Sequence, residues 1–197
     1  MKNSKKILLL IICILICLLV YFLVQTYAKY LSSASGDTSM KIARWNILVN
    51  SLLIKNNTDI SNSIVPVFPG NENIAENIIA PTAEGYFDLD FDFTDADVSF
   101  KYEITTSVDE NSPVKDIVTT GYSIDDGQKI EFSNFNENIS DTILLNSNIT
   151  KRKLRIFVKW NDDESTQTMP NTDDTLSTTS QTPVIFKVNI SFTQIAE

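Results

Sequence analysis

Apolar and polar positions alternate with a period of two over most of this chain. In DVSFKYEIT (97–105), Val98, Phe100, Tyr102 and Ile104 fall on one face and Ser99, Lys101, Glu103 and Thr105 on the other. Leu154, Ile156, Val158 and Trp160 alternate with Lys153, Arg155 and Lys159. Val184, Phe186, Val188, Ile190 and Phe192 alternate with Lys187, Asn189 and Ser191. In MKIARWNILV (40–49), Ala43, Trp45, Ile47 and Val49 form the apolar row. Sustained period-two alternation predicts half-buried antiparallel strands. The breaks fall where strands must end: Pro69-Gly70, Pro81, Gly85 and Pro183 interrupt the runs, and Asp125-Asp126-Gly127 reads as a hairpin turn. Eight or nine short strands then predict an all-β fold over residues 40–197, a single antiparallel two-sheet sandwich of jelly-roll type. Trp45 and Trp160 each stand in an apolar row and are the expected anchors of its core.

GYFDLDFDF (85–93) sets the face of one strand. Asp88, Asp90 and Asp92 share a side and are expected in solvent, with Leu89, Phe91 and Phe93 in the core, because a slip of one residue would bury three charges. The basic run Lys151, Arg152, Lys153 and Arg155 is expected to relieve their repulsion from a neighbouring strand. Alternate strand residues lie about 6 to 7 Å apart, too far to converge on one calcium ion with ligands at roughly 2.3 to 2.6 Å. A calcium-loop reading from Asp88 fails as well, since Phe93 and Ser99 stand where its glycine and glutamate belong. Two segments fit the strand pattern less well. No helical stripe of useful length follows residue 30, although ISDTILL (139–145) could form a short helix. Residues 161–182 carry ten Ser/Thr and five acids. They read as a mobile acidic loop or, more sharply, a cation- or partner-binding one.

The start of the chain has a different pattern. Lys2, Lys5 and Lys6 precede eighteen uncharged, almost wholly apolar residues, 7 to 24, and then Gln25-Thr26-Tyr27-Ala28. That is the layout of a secretory signal, with Thr26 and Ala28 suited to a peptidase that cuts between Ala28 and Lys29. At about 1.5 Å per residue the apolar run spans roughly 27 Å, so an uncleaved membrane anchor is the competing reading. Either way the lysines hold the N-terminus inside, and the rest of the chain is expected outside the cytoplasm, with residues 7–24 its only membrane contact. Residues 29–39 then form an extended segment ahead of the sandwich.

Composition narrows the chemistry. The net charge is −9, and the only charges of the leader are its three lysines, so the exported part is more acidic still and repels nucleic acid. Both cysteines, Cys13 and Cys17, lie inside the apolar run, which leaves the remainder without disulfide or thiol nucleophile. The chain has no histidine and only five glycines. Histidine-based acid–base catalysis, serine–histidine triads, HExxH zinc sites and glycine-rich phosphate loops are therefore absent. Adjacent acids such as Asp162-Asp163 and Asp173-Asp174 read as solvated loop residues. No catalytic, cofactor-binding or metal-binding residue is expected.

The order of these segments carries a resemblance. A leader ending TYAKYLSSASG is followed by MKIARWNILVN, EGYFDLDFDFTDADVSFKYEI, LRIFVKWNDDE with NTDDT behind it, and VNISFTQ. This succession resembles the TasA and camelysin group of exported proteins, which use a dedicated signal peptidase. The resemblance implies a jelly-roll surface or biofilm-matrix protein of Gram-positive type. Its partners would be the peptidase during export and then further copies or related matrix subunits. It also implies fibre growth by donation of an N-terminal strand, for which Lys29–Asp37 is the candidate donor. Protease activity ascribed to camelysin finds no zinc motif here. The alternative is a membrane-anchored extracytoplasmic module whose loops bind a ligand or cation.

Overall fold

The computed structural model describes residues 2–30, 36–180 and 182–195. The chain divides into two compact units, Met1–Lys41 and Ile42–Glu197. The first contains helix α1 (Lys2–Tyr30), of which Asn3–Gln25, with mean hydropathy 3.6, is long and apolar enough to cross a membrane. A signal sequence near the N-terminus has the same properties.

The second unit is a sandwich of two antiparallel sheets. Its strands are β1 (Trp45–Val49), β2 (Leu52–Leu53), β3 (Glu84–Ala96), β4 (Phe100–Val108), β5 (Ile117–Ile124), β6 (Ile130–Glu131), β7 (Ile139–Ile143), β8 (Lys151–Trp160) and β9 (Phe186–Gln194). The six-stranded sheet runs β2-β1-β3-β8-β5-β6 and the three-stranded sheet β7-β4-β9. From β3 onward the longer strands cross from one sheet to the other, which gives the sandwich its jelly-roll character. Alternation decides the inner faces: Phe87, Leu89, Phe91 and Phe93 of β3 and Leu154, Ile156, Val158 and Trp160 of β8 meet Phe100, Tyr102 and Ile104 of β4, all buried. Phe93 stands edge-on to Phe100 at 4.9 Å, and Phe91 lies 5.4 Å from Tyr102.

The aspartates of β3 face outward as expected. In the β3–β8 register Asp88 stands opposite Arg155, Asp90 opposite Lys153 and Asp92 opposite Lys151. Arg155 grips Asp88 with two bonds of 2.7 and 2.8 Å and lies over the Tyr86 ring at 3.9 Å. Lys151 reaches Asp92 at 2.9 Å. The hairpin turn is also where the pattern put it, although Asp125 (φ 50°) and Asp126 (φ 58°) take the left-handed positions themselves, with the Gly127 N–H closing the turn on Ile124 O at 2.8 Å.

Four expectations need correction. ISDTILL is not helical: residues 139–143 are β7, because Phe100, Tyr102 and Ile104 offer them a ladder and tertiary pairing outweighs the weak local helical tendency. Residues 161–182 are not loop throughout, since Asn171–Ser180 form helix α2. Among the described residues its one buried side chain is an aspartate, which no apolar-stripe reading can find. The first strand begins at Trp45 rather than Met40. Asp97, whose N–H bonds Arg44 O at 3.0 Å, is the last partner available to it on that side. Trp45, expected in the core, is 37% exposed. It is the first residue of β1, outside the stretch that β2 pairs, with one ring edge against Phe100 at 5.7 Å.

Candidate assembly edge

The two sheets are unequal, and the shortfall lies beside β9. The six-stranded sheet ends in β2 and β6, two residues each, which leaves little edge to pair. In the three-stranded sheet β9 is an edge of nine residues. The register tells which of its groups are free. The Asp109 N–H bonds Ile185 O at 2.9 Å, and the Ile195 N–H bonds Ser99 O at 3.0 Å. Odd-numbered residues therefore point their main chain at β4, while Phe186, Val188, Ile190, Phe192 and Gln194 point theirs away. Among the described residues these outward groups meet no partner.

The side chains of Phe186, Val188, Ile190 and Phe192 pack against the sandwich interior but are only partly covered. A cleft of about 460 Å³ beside Ile190 and Phe192 is lined also by Trp45, Ile47 and Ile54. A second, of about 340 Å³, lies at Val184 and Phe186 against Phe68, Ile79 and Phe87. A free ladder edge thus runs along one strand with two clefts beside it, the one at Phe186 mainly apolar and the one at Ile190 lined also by Lys55, Asn56, Asn57 and Ser191. This combination accepts an extended chain, whose amides would complete the edge and whose alternate side chains would enter the clefts. No group of three or more His, Cys, Asp or Glu side chains is placed to hold a metal ion among the described residues.

The segment ahead of β1 has the complementary character. Residues 36–44 form neither helix nor strand, and Met40 and Ile42 are 85% and 92% exposed. Its last residue is anchored: the Arg44 guanidinium bonds Asp97 at 2.8 and 2.9 Å and Asp95 at 2.5 Å. Of the other residues marked by sequence, Trp160 is buried at the end of β8, and Trp45 lines the larger cleft. Ala28 and Lys29 fall in the last turn of α1, with their side chains outside the described set. Residues 31–35 of the candidate donor also lie outside the described residues.

Sequence reasoning missed the edge itself. Alternation reports that β9 has an apolar face; it carries no signal for how many strands stand beside it. No family model, curated protein or solved structure matches this chain.

Proposed function

We propose that the chain is an exported structural protein of the cell surface or matrix, whose sandwich associates with further copies by adding an extended segment to the free edge of β9. The observation that carries this reading is the nine-residue edge with outward amides and half-covered Phe186, Val188, Ile190 and Phe192. Soluble sandwiches normally blunt such edges by charge, proline or covering loops. The donor is the stretch ahead of β1, where Met40 and Ile42 alternate in an unpaired run, extending back toward Lys29. The resemblance to the TasA and camelysin group points the same way. Release between Ala28 and Lys29 frees the donor; retention of α1 tethers it.

Electron microscopy and sedimentation of protein beginning at Lys29, beside protein beginning at Ala43, test this. Assembly of the longer form alone supports the reading. If both stay monomeric at high concentration, or both assemble alike, it fails. The mainly apolar cleft at Phe186 also favours a second reading, an anchored module that holds a small apolar ligand beside β9. A monomer that retains such a ligand in native mass spectrometry would replace the first reading with this one.

A further inference from the structure

Helix α2 is docked the wrong way round for an apolar core. Its Leu176 is 65% exposed, while Asp174 is 3% exposed. By geometry neither carboxylate oxygen of Asp174 completes a hydrogen bond, and neither does the indole Nε1 of Trp160, which nonetheless lies near enough to favour the ionised carboxyl. The groups around it have the same sign. Asp116 comes from the segment before β5, Asp162 from the segment after β8, and Asp173 from α2 itself. Asp116 is itself buried and already takes bonds of 2.7, 2.5 and 2.7 Å from the Thr168 N–H, the Thr168 hydroxyl and the Met169 N–H. Among the described residues no lysine or arginine pairs with Asp162, Asp163, Glu164, Asp173 or Asp174. The Ser177 hydroxyl of α2 also donates a bond of 2.9 Å to Pro113 O, and Asn171 at its start accepts one of 3.0 Å from the Gln167 amide. A buried, unpartnered, ionised carboxylate amid three others is a high-energy arrangement, whereas a neutral carboxyl in the same place is not.

We propose that α2 is a proton-operated flap, closed over Trp160 while the Asp174 carboxyl is neutral and released when that carboxyl ionises. Burial is the largest cause and, with the neighbouring aspartates, raises its affinity for the proton above that of an ordinary aspartate, against the opposing pull of the Trp160 indole. The direction follows from linkage. The closed state binds the proton more tightly than the open one, so closure is fully favoured below the ordinary aspartate value of about 3.9. Above that, the closed-to-open ratio falls by up to about tenfold per pH unit until the closed-state value is passed. The flap therefore closes in acidic surroundings and opens toward neutrality. It is independent of the edge at β9 and stands or falls separately from the assembly reading.

Trp160 supplies the readout. Full-length protein in neutral detergent, carrying Trp45→Phe so that Trp160 is the sole indole, is titrated from pH 3 to 8 in the presence of EDTA, with acrylamide quenching followed at each step. Quenching is expected to rise severalfold over the window while the far-ultraviolet sheet signal holds steady. Asp174→Asn, neutral at every pH, should keep Trp160 protected throughout, and Asp173→Asn should keep the transition. A flat wild-type curve overturns the proposal even if Asp174→Asn does not fold. An Asp174→Asn curve that matches wild type overturns it as well. So does protection at pH 7.5 that returns on replacing EDTA with calcium chloride, since the neutralising agent would then be a cation.

Discussion

Arg152 of β8 and Asp141 of β7 form an ion pair that joins the two sheets, with the arginine side chain only 11% exposed. Asp125 of the hairpin turn adds a longer contact at 3.7 Å. Arg152 lies in the basic run that sequence assigned to the aspartates of β3, but it shares the parity of Leu154 and Ile156 and so points inward. Removing it takes away the cross-sheet pair. Arg152→Ala is expected to lower unfolding free energy by about 1–3 kcal/mol. Lys151→Ala, at a side chain 71% exposed, should leave the denaturant midpoint unchanged.

The two tryptophans should separate cleanly. Trp160 is buried at 2% exposure, and Trp160→Ala is expected to cost about 3–5 kcal/mol. Trp45→Ala, at a ring with one side in solvent, should cost about 1–2 kcal/mol. Equal losses in urea unfolding would contradict the placement of Trp45 at the rim.

The free edge can be blocked without touching the ladder. Val188 points its N–H away from β4, so Val188→Pro removes a group that no described residue uses. The variant should retain the sheet signal and lose self-association in sedimentation. Lys187→Pro, one residue earlier, strips an N–H from the β4 ladder and should destabilise the fold instead.

Acid should weaken the outer face of β3. Bonds from the Thr94 hydroxyl and N–H, with Lys151 beside them, hold the Asp92 carboxyl down to about 2, and Arg155 holds Asp88 below the usual range. A depressed folded-state value means stability that is complete above the unfolded value near 3.9 and lost as pH falls toward 2. The melting temperature should drop over that window, and Asp92→Asn should flatten part of the drop.

Gly121 is a steric requirement rather than a turn residue. A Cβ there would stand 2.3 Å from Ile130 O, so Gly121→Ala must push β6 off β5. A loss of about 1–3 kcal/mol is expected, with faster amide exchange at Ile130 and Glu131.

The sequence by itself determined the strands and their faces. Side chains alternate by covalent geometry, so Leu89, Phe91 and Phe93 inside and Asp88, Asp90 and Asp92 outside follow from local order alone. The apolar run of α1 and the Asp125-Asp126 turn are legible for the same reason, since hydropathy and backbone preference act within a few residues. Tertiary structure decided what depends on neighbours distant in sequence. ISDTILL became β7 because β4 had an edge to fill, and Trp45 stayed at the rim because it is the first residue of β1. Arg152 points inward by parity, but that Asp141 of the other sheet is its partner only the packing decided. The two features on which function is argued, the open side of β9 and the buried Asp174, are of this second kind. An unpaired edge and an unpartnered carboxylate are defined by what does not stand beside them, and only the packed sandwich fixes that.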